Sequence, residues 1–194
     1  MQTCTRPRRG HAGGFSMVEL MVVIAILGLA SSLAVMATKS DPTAKSAREV
    51  SAFLQMARRA AVAHGPVRSD VKAATGITAT QRVRFKDVGG TLSRVELYDL
   101  VEGTGATATW TFNTWVWIPN RAKIYGVATT ANTNGGETLP TALATNGQVD
   151  IFFYPNGSAD ATTVYLQTRS GAKPDKFRIF IMPLSGMPTT TKGW

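Results

Sequence analysis

An α+β fold, with a long N-terminal helix packed on antiparallel β-sheet, follows from three features of the chain. An apolar run from Gly14 to Ala37 holds one charge, Glu19. A second stretch, Ala44 to His64, repeats apolar residues at three- and four-residue steps. Beyond Pro66 the chain divides into short segments rich in β-branched and aromatic residues, with Gly and Asn turn signals between most of them.

The apolar run comes first. From Leu20 to Ala37 it carries no charge, only small polar breaks at Gly28, Ser31 and Ser32. It has about the 20 residues that a helix needs to cross a bilayer core of about 30 Å. Arg6, Arg8 and Arg9 precede it, which predicts a cytoplasmic N-terminus and a domain on the far side. A carboxylate near the start of a membrane helix costs of order 2–3 kcal/mol and is normally paired or functional. Glu19 lies one helical turn after Phe15. A cut between Gly14 and Phe15 would give Phe15 a new α-amine, a natural partner for the Glu19 of a neighbouring subunit. Two alternatives stand beside this. One is an ordinary secretory signal peptide cut after Val35-Met36-Ala37; the other is a plain single-pass anchor. The length of the run and its acid speak against the first, whose apolar region is about 7–15 residues.

Lys39-Ser40-Asp41-Pro42-Thr43 ends the run. Asp41 or Ser40 suits a helix cap and Pro42 a first helical position, so a second helix starts near Pro42; alternatively Pro42 kinks one continuous helix. In the next stretch Ala47, Val50, Leu54, Ala57 and Ala61 form the apolar stripe, widened by Phe53 and Ala60. Lys45, Arg48, Glu49, Arg58 and Arg59 fall largely off it, and Gly65-Pro66 stops the helix. Residues 15–64 as helix would span about 75 Å. The strands expected after it are Pro66–Val71, Arg82–Asp87, Arg94–Leu100, Ala108–Phe112, Trp115–Ile118, Ala122–Val127, Gln148–Tyr154, Thr162–Gln167 and Lys176–Met182.

The run GFSMVELMVVIAILGLA resembles the N-terminal signature of type IV pilins and type II secretion pseudopilins. It has the Gly before the cut, the Phe after it, Glu at the fifth mature position and the apolar helix. The resemblance implies that a membrane peptidase cleaves between Gly14 and Phe15 and that the Phe15 amine is methylated. It also implies that Glu19 recruits or registers subunits during assembly. The chain then divides into a leader over 1–14, a transmembrane and assembly helix over 15–37, and a periplasmic or extracellular domain over 38–194. A second resemblance is to the GspH/FimT branch of minor pilins and pseudopilins. REVSAFLQMARRAAVAHG carries its Ala/Arg-rich helix face, and Phe152-Phe153-Tyr154-Pro155-Asn156-Gly157-Ser158-Ala159 its strand–Pro-x-Gly-x–strand hairpin. One departure concerns DNA. Branch members that bind it carry Gly-Arg-x-Arg near the C-terminus, whereas this chain reads Leu184-Ser185-Gly186-Met187-Pro188-Thr189.

The formal charge of +9 becomes +6 without the three leader arginines, and is +7 from Thr38 onward. Such a domain can attract nucleic acid, anionic lipid or an acidic protein, or equally be a soluble surface with no such partner. Cys4, the sole cysteine, lies in the leader, so the mature chain is expected to rely on its core rather than on a disulfide. Of the two histidines, His11 is in the leader and His64 suits a helix C-terminus. No nucleophile with a paired base, Gly-rich phosphate loop or metal-spaced ligand set is present, so no enzymatic activity and no cofactor are expected.

Trp110-Thr-Phe112 and Trp115-Val-Trp117 put aromatics on one face of each strand, with Arg121, Lys123 and Tyr125 following. They form either a face packed onto the Ala-rich helix, a patch docking another subunit, or a base-stacking platform. The residues for nucleic-acid contact are Arg58, Arg59, Arg82, Arg84, Trp115 and Trp117, and Arg94 extends the basic stripe. In the loop Ala128–Thr145, Asn132, Asn134 and Glu137 make a poor calcium site. The tail Pro188–Trp194 is expected to be mobile.

These readings converge on a minor pilin or pseudopilin, held in the inner membrane and then built into a filament that it primes, caps or decorates. Its partners are other pilin subunits and the processing peptidase. The alternative is a DNA-binding minor pilin of natural transformation.

Overall fold

The computed structural model describes residues 16–37 (backbone alone from 29 to 37), 41–88, 93–118, 122–129, 147–169 and 175–193. The leader with Gly14, Phe15, Cys4 and His11, together with Arg121, Asn132, Asn134, Glu137 and Trp194, lies outside these residues. The chain falls into two compact units, Met1–Ser40 and Asp41–Trp194.

The first unit contains helix α1, Met17–Ala37. From residue 17 to 28 every side chain is exposed, Ile24 at 61% and Leu27 at 59% among them. The apolar side chains favour no one face, so nothing marks a core side and a solvent side. Among the described residues no helix is long and apolar enough to cross a membrane.

The second unit opens with helix α2, Pro42–His64. Asp41 lies outside helical space (φ −59°, ψ 113°), and its carboxylate accepts the Thr43 N–H at 2.9 Å. Pro42 therefore begins a helix rather than kinking one already running, in the first-turn position where its missing N–H costs nothing. The expected stripe is the buried face: Ala47, Val50, Phe53, Leu54, Ala57 and Ala61, with Ala60 only half-buried. Gly65 ends the helix at φ +77°, and the His64 ring lies 3.0 Å from the Leu100 carbonyl.

The strand expected over Pro66–Val71 is instead part of a short helix, α3, Ser69–Thr75. Asp70 sits in its first turn beside Arg68, and Gly76 closes it in the left-handed conformation at φ +71°. One Val, Val71, is buried there. A single apolar anchor between a first-turn Asp and a terminal Gly favours a helical turn over an extended segment.

Among the described residues eight strands follow: β1 Gln81–Asp87, β2 Ser93–Glu102, β3 Ala108–Ile118, β4 Ala122–Ala128, β5 Gln148–Phe153, β6 Thr162–Thr168, β7 Lys176–Ile181 and β8 Pro188–Lys192. They form two four-stranded antiparallel sheets, ordered β3-β2-β1-β5 and β4-β6-β7-β8. The segments expected as two strands over Ala108–Phe112 and Trp115–Ile118 are one strand, β3, carrying a bulge. The tail expected to be mobile is strand β8, paired along β7 from Pro188 opposite Ile181 to Lys192 opposite Phe177. Its three consecutive threonines suit extended backbone. α2 touches strands of both sheets, and one apolar core joins all three, with Leu54, Phe85, Leu97, Phe153, Leu166 and Ile179 fully buried in it. The fold is α+β, as the sequence predicts.

Candidate functional site

Three places carry side chains arranged for more than packing. The first is the start of α1. Glu19 Oε2 accepts the Ser16 N–H at 3.3 Å, and Ser16 Oγ accepts the Val18 N–H at 3.3 Å. Glu19, three residues into the helix, reaches back to the capping residue as in a capping box. The acid satisfies one free N–H at the helix end and lies where the helix dipole favours negative charge. Its spacing from Ser16 is the Ser-x-x-Glu signal in front of an apolar run, a role that reading Glu19 only as a partner for an amine overlooks.

The second place is the outer face of the first sheet. Strand alternation puts Val83, Phe85, Val95, Leu97, Ile151 and Phe153 against the core. The same alternation turns Arg82, Arg84, Arg94, Glu96, Tyr98, Asp150 and Phe152 to the opposite face. On β3, Phe112 stands opposite Tyr98 and Thr114 opposite Leu97, so Asn113 is an extra residue. That bulge reverses the parity of the strand. Trp110 and Phe112 before it, and Trp115 and Trp117 after it, all reach the outer face, opposite Leu100, Tyr98, Glu96 and Arg94 respectively. Asn113 Nδ2 donates to Asp99 Oδ2 at 2.6 Å, fixing the kink. The expectation that these rings pack on the Ala-rich helix is overturned: they face away from it, Phe112 48% and Trp115 43% exposed. The signal was in the spacing, since even positions 110 and 112 give way to odd positions 115 and 117 within one uninterrupted run.

The cations of this face are held in place. The Arg82 guanidinium lies 4.4 Å from the Tyr98 ring centroid and 5.1 Å from that of Trp110. Arg84 lies 5.3 Å from Tyr98, and Arg94 5.6 Å from Trp117; all are within cation–π range. Arg84 grips Asp150 with two donors, Nε to Oδ1 at 2.7 Å and a terminal N–H to Oδ2 at 2.9 Å. That hydrogen bond raises the Arg84 pKa above its already high ordinary value. Burial, and then the neighbouring Arg84 charge, lower that of Arg82. Arg94 pairs with Glu96, which also accepts the Tyr98 hydroxyl at 2.7 Å. Burial, followed by that hydrogen bond, pushes the Tyr98 pKa up. Trp115 and Trp117 meet edge to face at 4.8 Å.

Of the six residues expected to contact nucleic acid, Arg82, Arg84, Trp115 and Trp117 share this face. Arg58 and Arg59 lie on α2, and Lys123 lies on β4 in the other sheet.

Arg58 belongs to the third place, a structural node. Its Nε donates to the carbonyls of Gly157 at 3.2 Å and Ser185 at 2.6 Å. Gly157 sits at φ +82° in the turn between β5 and β6, closed by a bridge of Phe153 to Ala159, and its N–H donates to the Tyr154 carbonyl at 2.9 Å. Gly186 sits at φ +59°, and a Cβ there would stand 2.3 Å from the Gly157 carbonyl oxygen. One guanidinium thus ties α2 to two glycine turns. At the start of the same turn the Tyr154 side chain lies near Trp110 and Phe152, and its hydroxyl donates to Asp160 Oδ1 at 2.9 Å. Burial, and then this bond, push the Tyr154 pKa up to about 12. The folded value lies above the unfolded one of about 10, so this stabilisation is complete below pH ~10 and is lost as pH rises towards 12. Tyr154→Phe is expected to flatten the alkaline limb of the stability–pH curve by of order 1–2 kcal/mol, discounted for partial exposure. Chemical denaturation at several pH values between 9 and 12 reads this, and an unchanged slope would contradict it.

Residues 9–35 match the family model described as the prokaryotic N-terminal methylation motif. The chain has a type IV pilin-like N-terminus. The match spans the segment that holds Ser16, Glu19 and all but the last two residues of α1, and the pilin-like helix-then-sheets architecture follows it. A pilin-type protein associates in general with other pilin subunits and with a prepilin peptidase. No curated protein and no solved structure matches the chain.

Proposed function

We propose that this pilin-type chain is a minor pilin or pseudopilin of the GspH/FimT kind, a structural subunit that primes, caps or decorates a filament rather than a catalyst. The observation that carries the reading is the methylation motif over residues 9–35 with Glu19 as the one acid of its apolar helix. Cleavage between Gly14 and Phe15 frees the Phe15 amine, which is then methylated. Before assembly α1 crosses the inner membrane with the second unit in the periplasm. In the filament it packs among equivalent helices, an environment suited to a helix apolar all round. A carboxylate has room for several hydrogen bonds, so Glu19 can keep its Ser16 N–H and still accept a neighbour's Phe15 ammonium.

Support for the branch comes from the Arg58 node. The Ala/Arg-rich helix, the Pro-x-Gly turn and the C-terminal Ser185-Gly186 turn, apart in the chain, meet there, with Arg58 hydrogen-bonded to Gly157 and Ser185. In the native host, sequencing of the mature chain is expected to begin at Phe15. Glu19→Ala is expected to leave cleavage intact and reduce filament incorporation about tenfold or more, as loss of a charged hydrogen bond of about 1.5–3 kcal/mol implies. A mature chain that starts elsewhere, or full incorporation of the variant, would refute the reading.

A further inference from the structure

We infer that the outer face of the β3-β2-β1-β5 sheet is a docking surface for a different pilin-type subunit whose facing surface is acidic. The inference rests on the pilin reading and adds to it a surface and a partner chemistry. Arg82, Arg84, Arg94, Phe112, Trp115 and Trp117 stand on one face. Trp, Tyr and Arg are the residue types that dominate binding energy at protein interfaces. Exposure of Phe112 and Trp115 at nearly half their surface is a cost that a partner would remove. The arginines are already stacked on rings or clamped by acids, so little side-chain entropy remains to be lost on binding.

Charge selects the occupant. Arg82, Arg84, Arg94 and, by alternation, Lys86 outnumber the acids Glu96, Glu102 and Asp150 on this face. One carboxylate, Asp150, serves both Arg82 and Arg84. A second copy would set a positive face against a positive domain, since the chain from Thr38 onward carries +7. An acidic partner is complementary to it. The edge-to-face ring pairs at interplanar angles of 73° and 77° make an uneven relief. Such relief suits interdigitating side chains better than the flat stacking on which a nucleic-acid platform relies.

The test is site-specific photocrosslinking of the full chain in its native host. p-Benzoylphenylalanine replaces Phe112 on the outer face or, as a control, the exposed Arg59 on α2. The expected result is a product from position 112, and none from 59, with a chain that mass spectrometry identifies as carrying an N-terminal methylation motif and a net negative domain. Trp115→Ala is expected to cut its yield about tenfold or more. Lys86→Glu, which leaves Arg94 opposite it a new partner, is expected to cut it about two- to fivefold. A product with a second copy, with DNA, or with a neutral or basic chain would overturn the inference, as would equal yields from both positions. Processing and filament incorporation are scored in the same cells. Intact incorporation without a product from 112 removes the surface alone, whereas a mature chain that fails to start at Phe15 removes the pilin reading.

Discussion

Gly186→Ala is expected to destabilise the folded chain by about 3–5 kcal/mol, the sum of two physical costs. A non-glycine residue at φ +59° pays about 1–2 kcal/mol for left-handed backbone. The new methyl would also stand 2.3 Å from the Gly157 carbonyl oxygen, a backbone atom that cannot swing aside. One of the two turns must move, taking with it an Arg58 hydrogen bond worth about 1.5–3 kcal/mol. In a domain of this size the loss corresponds to a fall in Tm of roughly 10 °C, measured on the full chain by thermal unfolding. Gly193→Ala is the control. It has a similar φ of +84° but nothing within 4 Å of the added methyl, and is expected to cost only about 1–2 kcal/mol. Equal losses from both would show that backbone conformation alone matters and that the close approach at Gly186 does not.

A single alanine inserted between Thr114 and Trp115 is expected to be more damaging still. It would turn Trp115 and Trp117 from the outer face towards the core and Val116 out of it, since a one-residue slip exchanges the faces of a strand. Forcing indole rings into a filled core costs about 1–3 kcal/mol each or more, so the chain is expected to lose cooperative unfolding. Deleting Asn113 should have the opposite character. With the extra residue gone, Phe112 still faces Tyr98 and Thr114 still faces Leu97, so every ring keeps its side. Loss of the Asn113–Asp99 hydrogen bond is then the main cost, about 1 kcal/mol. Tryptophan emission during denaturant unfolding reads both variants. A deletion as harmful as the insertion would contradict the assigned bulge.

Much of this was legible in the residues. The stripe of α2 from Ala47 to Ala61 is the face the structure buries, because helical spacing and burial are one signal. Turn residues bracketed most strands. The misreadings share a cause: tertiary pairing overrode local composition. Pro188–Lys192 reads as a loose tail until β7 gives it a ladder, and Val67 and Val71 read as strand although only Val71 is buried, on a helix. The aromatic face was readable only in part. The ring positions were evident, but which side they reach depends on where one strand slips against its neighbour. Arg58 was misplaced for a similar reason, since nothing local announces that a helix arginine meets two carbonyls some hundred residues away.

The bulge in β3 bears on a hazard particular to polymer-forming chains. β3 borders the first sheet, and its eleven residues would otherwise offer an unbroken row of amide groups to any similar strand nearby. Asn113 breaks that row near its middle, and at the far rim of the second sheet β8 is only five residues long. If the chain is the filament subunit proposed above, copies crowded together before assembly would meet a broken template along β3 and a short one along β8, and ordered growth would be left to their helices.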